Sequence, residues 1–444
     1  MSATLIKNAR IVNEGRVQER DLRIVGQRIE KIESHIIAAP TDQIVEANGR
    51  FILPGMIDDQ VHFREPGLTH KGSIASESRA AVAGGITSYM EMPNVSPATT
   101  TIEALERKFD IAANNSLANY SFYLGATEDN LEQIKRLNPE THCGVKVFMG
   151  ASTGDLLVEN PTALEGIFRE SPVLIVTHCE SGPVIAKNRE ALLRKKSVFT
   201  IHDHPVLRDD EACYASSSYA VDLAKRHGSH LHVLHITTEK ELSLFQTGPI
   251  ELKRITAEAC VHHLWFSEED YAVLGNLIKC NPAIKKASDR EALIRALHTN
   301  QIDIIATDHA PHTFEEKQVG FEQAPAGLPL VQHALLTLLD HVSHGRIDIT
   351  QVVEKTAHNP AIRYGIKDRG FVREGYFADL VLVDDKQTTE VSHDNALYHC
   401  GWTPFAGHRF SSQIVCTWVN GGLVYHNNKV LEDESPAMRL VFAR

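Results

Sequence analysis

The middle of the chain alternates regularly between two textures, and that alternation limits the folds open to it. Eight short β-prone runs, at 56–62, 85–92, 120–124, 144–149, 173–178, 232–237, 255–264 and 303–308, are separated by segments with helical periodicity, such as 73–83, 131–137, 211–227, 289–297 and 330–342. Strands joined through helices pair in parallel, because the helix carries the chain back to the end where the previous strand began. Eight such units over about 310 residues predict a (β/α)8 barrel with insertions. Before Pro54 and after Ile366 the texture is β alone, as in Leu22, Arg23, Ile24 and Val25 at one end and the run from Gln413 to Val419 at the other. Each β end is short of a core, so the two are expected to pair into one small sandwich beside the barrel. The expected domains are 1–53 and 366–444 for the sandwich and 54–365 for the barrel.

Charge and cysteine usage narrow the function. The 45 basic and 57 acidic side chains give a net charge of −12, which argues against nucleic acid or an anionic membrane as partner, since both need a basic footprint. No apolar run approaches the ~18 residues of a membrane span, and the first residues lack the continuous apolar core of a signal peptide. The seven cysteines (143, 179, 213, 260, 280, 400 and 416) are odd in number and lack C-x-x-C spacing, which suits reduced thiols. A soluble cytoplasmic protein is the expectation. The polar segment 313–326 is the best candidate for a mobile loop.

The active face of such a barrel lies at the C-terminal ends of its strands. Polar ligand-type residues gather there: Gln60 and His62 on strand one, Lys146 on strand four, His178 on strand five, His235 on strand six, and Asp308 with His309 on strand eight. Imidazoles with a carboxylate suit a divalent first-row metal, with zinc the default. A charged Lys146 would repel that cation, whereas its neutral amine can take up carbon dioxide. The resulting carbamate has two oxygens that could bridge a metal pair about 3.5–4 Å apart. Isolated histidines are more often satisfied core residues, and His142, His227, His230, His262, His263 and His358 are read that way.

These residues resemble the dihydroorotases of the amidohydrolase superfamily, and the resemblance runs through nearly the whole chain. The stretch from Ile57 through Asp58, His62, Phe63, Arg64, Glu65 and Pro66 to Gly67 is similar to the family's first signature, and Ala306 to His312 to its second. Asn94, Lys146, His178, His235, the pair His262 and His263, and Asn281 fall between them in the family's order. The resemblance implies reversible interconversion of N-carbamoyl-L-aspartate and L-dihydroorotate in pyrimidine synthesis. It implies one or two zinc ions held by His62, Lys146 as N6-carboxylysine, His178, His235 and Asp308, with Asp308 also the general base. Arg64, Asn94 and His312 would grip the substrate carboxylate, and Asn281 with the backbone at Ala326 and Gly327 would bind the ring amides. Hydantoinases and allantoinases share barrel and metals but differ after the first histidine pair, and Arg64 favours the dihydroorotase side.

One departure weighs on the metal count. Relatives carry His-x-His where this chain has Gln60, Val61 and His62, so a strong imidazole is replaced by a weak neutral oxygen. Three outcomes are ranked in order: two metals with Gln60 or Asp58 helping; one metal held by Lys146, His178 and His235; or a non-catalytic relative that binds a pathway enzyme such as aspartate transcarbamoylase. A homodimer is also open. A smaller departure is Ala283 to Lys285 after Pro282, where relatives often have a second proline and an arginine.

Overall fold

The computed structural model describes residues 3–150, 156–432 and 437–444. Its centre is an eight-stranded parallel barrel. In order the strands are Met56–Val61, Ile86–Glu91, Asn119–Phe122 continued by Leu124–Gly125, Val145–Met149, Ile175–Cys179, Leu231–Val233, Ile255–Cys260 and Ile304–Ala306. The parallel register passes from strand to strand, as in Val145 beside Ile175 and Ile175 beside Leu231. The ring closes where Val61 bridges His309 and the His62 N–H donates to the His309 carbonyl at 2.7 Å. Nearly every residue of these strands is buried, because helices cover one side and packed side chains fill the other.

The helices begin and end where local chemistry dictates. Ser73 caps Ile74–Ala83 with a reciprocal capping box, and Asp209 caps Asp210–His227, which stops at Gly228 in the left-handed region (φ 66°). Two expectations need correction. The run at 255–264 is a strand only to Cys260 and then turns into a short helix, Val261–Trp265, since a continuous apolar run does not by itself separate a buried strand from a buried helix. The helix expected over 131–137 is confined to Leu131–Ile134, with Pro139 close behind to oppose its continuation.

The two β ends meet in one nine-stranded sheet. Phe51–Pro54 pairs antiparallel with Leu380–Asp384, with Leu380 opposite Pro54 and Val383 opposite Phe51. Ile6, Ile11, Leu22 and Ile24 from the N-terminal strands share a single apolar cluster with Leu380, Leu382 and Trp418 from the C-terminal ones. The last residues leave this sheet: Leu440 and Phe442 pack with Ile57, Tyr123 and Tyr364 of the barrel, and Arg439 holds Glu106 through both guanidinium arms at 2.7 and 2.9 Å. All seven cysteines are free thiols. Among the described residues no helix is long and apolar enough to cross a membrane.

The segment 313–326, expected to be mobile, is instead pinned. Thr313 and Glu316 form a capping box around the short helix Phe314–Lys317. The buried Lys317 ammonium donates to the carbonyls of Lys279, Pro325 and Gly327 at 3.0, 2.9 and 2.9 Å. Lys279 in turn reaches the carbonyls of Phe321 and Ala324. A polar composition signalled a loop, but its one lysine, with Lys279 from outside, serves as an anchor.

Candidate active site

A cavity of about 50 Å³ at the C-terminal mouth of the barrel is lined by Gln60, His62, Arg64, Asn94, Lys146, Phe148, His178, His235, Asn281, Asp308, Ala310, Ala326 and Gly327. Eight separate connections and strands therefore converge on one small volume. Of the residues singled out in the sequence, Asp58, His309 and His312 stand back from the wall, His309 with Nε2 on the buried Glu77 carboxylate at 2.9 Å. The His312 ring lies beside Arg64, where Nδ1 accepts from Lys71 Nζ at 3.0 Å and Nε2 therefore carries the proton given to the Ala326 carbonyl, also at 3.0 Å. Burial, with Arg64, Lys71 and Lys317 nearby, holds this imidazole neutral.

The ligand-type residues form two pairs. His178 Nδ1 and His235 Nε2 face each other at 3.0 Å, and His62 Nε2 faces Asp308 Oδ1 at 3.1 Å. His178 Nε2 lies 3.1 Å from the Glu180 carboxylate, which Arg208 also holds. A carboxylate can only accept, so the proton is on Nε2 and the Nδ1 lone pair points into the site. Burial would raise the Glu180 pKa, but Arg208 and His178 prevail and hold it at about 2. His62 Nδ1 meets Asn94 Oδ1 at 2.8 Å. If that nitrogen donates, Nε2 and Asp308 Oδ1 are two acceptors aimed at one another, an arrangement a cation between them resolves.

Lys146 rises from the fourth strand with its Nζ 4.7 Å from the centre of the Phe148 ring. Burial pushes its pKa down to about 8, against the opposing pull of Asp308 and Glu258. Burial likewise lowers His62, His178 and His235. Desolvation would raise Asp308, yet its contact with His62 holds the carboxyl below its ordinary value, so it is ionised at neutral pH. The donor set of neutral imidazoles, an ionised carboxylate and an amine that loses its proton readily fits a divalent metal.

Gln60 occupies the place of the missing imidazole. Its amide Nε2 donates to Asp308 Oδ1 at 3.0 Å, and its Oε1 faces Cys260 Sγ at 3.8 Å. Asp58, the other candidate helper, is committed elsewhere: Thr307 occupies its two oxygens through the backbone N–H at 3.1 Å and the hydroxyl at 2.6 Å.

Two features suit an organic ligand. Arg64 is buried, donates Nε to the Pro311 carbonyl at 3.0 Å, and forms no ion pair among the described residues. Asn281 Oδ1 is buried without a hydrogen-bond partner among the described residues. The backbone opposite is less free than expected, since the Ala326 carbonyl accepts from His312 and the Gly327 N–H donates to the Lys279 carbonyl. Gly327 is required there, because its φ is 142° and a Cβ would overlap the Ala310 carbonyl.

Several supporting residues escaped the sequence reading. Glu180 carried a usable signal, lying two positions beyond His178. Arg208, Lys71 and Trp402 carried none; Trp402 comes from the distant C-terminal part, where its indole N–H donates to the His312 carbonyl at 2.8 Å. Arg64, His235 and Asp308 all have positive φ, at 72°, 40° and 51°. Left-handed backbone in bulky residues is held against its cost by the surrounding structure and tends to gather at functional sites.

Barrel, cavity and polar lining define an α/β-barrel protein with its candidate site at the strand ends. The comparisons with known proteins carry this further. The amidohydrolase family profile matches residues 51–424, and the chain belongs to that family, among its cyclic amide hydrolases. It is 34% identical over 401 residues to a dihydroorotase of Halobacterium salinarum, covering 90% of this chain and 91% of that one. A dihydroorotase of Staphylococcus aureus is 28% identical over 433 residues, covering 96% and 100%. In fold the chain resembles an L-hydantoinase from Arthrobacter aurescens, with a TM-score of 0.93 at 24% identity over 99% of this chain and 100% of the other.

Proposed function

We propose that the chain is a zinc-dependent dihydroorotase, opening the ring of L-dihydroorotate to N-carbamoyl-L-aspartate and closing it in the biosynthetic direction of pyrimidine synthesis. The observation that carries this is Arg64: a buried guanidinium on the cavity wall with no carboxylate paired to it among the described residues. Burying a cation is costly unless a counter-charge arrives, and a planar substrate carboxylate matches the guanidinium fork. Dihydroorotate carries that carboxylate on its ring, whereas hydantoin and allantoin do not. The buried, unpartnered Asn281 Oδ1 is an acceptor for a ring N–H. Asn94 and His312 complete the carboxylate pocket beside Arg64. Ala326 and Gly327 contribute the wall against which the ring lies.

His178 and His235 would hold one zinc, His62 and Asp308 a second, and Lys146 as N6-carboxylysine would join the two. Bound there, zinc supplies Lewis acidity that polarises the ring carbonyl and acidifies water. The chain's own residues do the rest. Asp308, ionised and hydrogen-bonded to Gln60, takes a proton from water as its oxygen bonds to the ring carbonyl carbon. When the ring carbon–nitrogen bond breaks, Asp308 returns that proton to the leaving nitrogen. Glu180 keeps His178 in the tautomer that presents Nδ1. Loss of one imidazole at Gln60 weakens the His62 and Asp308 position but leaves its other donors in place.

The test is a side-by-side assay of the zinc-loaded protein on dihydroorotate, hydantoin and allantoin, following loss of the amide absorbance. Turnover of dihydroorotate supports the proposal. Turnover of hydantoin or allantoin alone would move the chain to that branch of the cyclic amide hydrolases, and no turnover at all would favour a non-catalytic relative. Assembly as a homodimer or with aspartate transcarbamoylase is part of the same proposal, and sedimentation of the chain alone and mixed with that enzyme distinguishes the two. Location in the cytoplasm follows from the proposed pathway and is tested by fractionation.

A further inference from the structure

His262 and His263 break the expectation that stray histidines are satisfied core residues. His142 and His358 conform: His358, for example, donates Nδ1–H to the Gly370 carbonyl at 2.6 Å and accepts from the Glu14 N–H at 2.9 Å. His262 is fully buried, yet neither ring nitrogen completes a hydrogen bond, even though a Thr307 backbone group lies close enough to favour its protonated form. His263 donates Nε2–H to the Pro282 carbonyl at 3.1 Å, which leaves its buried Nδ1 lone pair with no partner. An imidazole whose outer N–H is fixed by a carbonyl while its inner nitrogen is bare has the tautomer of a metal ligand. The thiol of Cys260, at the end of the same strand, completes the group: one ligand atom from each of the three residues lies within 4.8 Å of the others. A tetrahedral shell with bonds of about 2.0–2.3 Å has edges of about 3.3–3.8 Å, so a modest inward movement of side chains closes the set.

We propose that Cys260, His262 and His263 form a separate metal site for a thiophilic cation of the zinc type, set in the barrel wall next to the catalytic cavity. The cavity residue Gln60 joins the two: its Oε1 faces Cys260 Sγ from 3.8 Å and offers a fourth donor, while its Nε2 holds Asp308. Binding replaces the Cys260 S–H bond with a sulfur–metal bond and releases the proton to solvent. In the metal-free form that thiol donates to Glu258 Oε1 at 3.3 Å. The site uses none of the ligands assigned to the catalytic zinc ions, and all of those are nitrogen or oxygen donors, so a sulfur signature belongs to this site.

The experiment is cobalt titration of the metal-stripped, full-length protein. The expected result is a thiolate-to-cobalt charge-transfer band in the near ultraviolet that is lost, with one equivalent of metal, in Cys260→Ser and retained in Cys280→Ser, whose thiol lies 3.7 Å from His263 Nε2. No band at saturating cobalt, or a band that survives Cys260→Ser, overturns the proposal. Should Cys260→Ser fail to fold, X-ray absorption at the zinc edge of the zinc-loaded wild type decides: one sulfur neighbour at about 2.3 Å supports the site, and nitrogen and oxygen neighbours alone overturn it. Both readouts are independent of turnover, so failure to open dihydroorotate leaves this inference standing.

Discussion

At the scale of single residues, the proposed reaction divides recognition from chemistry between Arg64 and Asp308. Replacing Arg64 with Met removes the charge-assisted hydrogen bonds to a substrate carboxylate, worth about 3 kcal/mol. The expected outcome is a fall in kcat/KM for dihydroorotate of about 100-fold, read from steady-state kinetics. Asp308→Ala should abolish turnover while metal analysis still finds the ion held by His178 and His235; substantial residual activity would remove Asp308 from the role of base. Glu180 ties the site to stability. Its pKa falls from 4.5 to about 2 on folding, so the folded state binds its proton less readily than the unfolded one. The resulting stabilisation, about 3 kcal/mol as an order of magnitude, is complete above pH ~4.5 and lost as pH falls towards ~2. Urea midpoints measured across that range should drop in the wild type and stay flatter in Glu180→Gln. Gln60, His62, Lys146, His178, His235 and Asp308 were legible in the sequence because strand ends place them, whereas Arg64, Asn94, Asn281, Ala326 and Gly327 were reached only through the family resemblance. The outer supports were not legible: Arg208 and Trp402 reach the site from far along the chain, and no local pattern marks such an approach.

At the scale of elements, the segment 313–326 is held by two buried ammonium groups. Lys317→Met leaves the Pro325 and Gly327 carbonyls without their donor and the Lys279 carbonyl with the Gly327 N–H alone, at a cost of about 3 kcal/mol. Urea unfolding should show that loss, and limited proteolysis should cut within 313–326 sooner than in the wild type; unchanged cleavage would mean that the lysine does not fasten the segment. The misreadings of elements share a cause. Polar composition marks 313–326 as surface loop but does not show whether Lys317 points to water or to carbonyls. The apolar run beyond Cys260 satisfies strand and helix patterns alike, and only the turn at Val261 brings His262 and His263 back beside Cys260. The barrel strands were legible because each is short, apolar and followed by helical periodicity.

At the scale of the whole molecule, the chain closes on itself twice, once where Val61 meets His309 and once where Phe51–Pro54 meets Leu380–Asp384. Deleting residues 1–53 strips a neighbour from Leu380–Asp384 and exposes an apolar strand edge, so the truncated protein should be recovered as aggregate, as judged by size-exclusion chromatography. That the ends pair could be inferred from two β segments each too small for a core; that they form one sheet could not, since register depends on contacts more than 300 residues apart. The central claim, that this cavity is built for a cyclic amide bearing a carboxylate, is tested most directly by competing dihydroorotate against dihydrouracil, the same ring without the carboxylate, on the zinc-loaded protein. The account predicts a preference for dihydroorotate of at least ~100-fold in kcat/KM. Equal turnover of the two, or a preference for dihydrouracil, would contradict it.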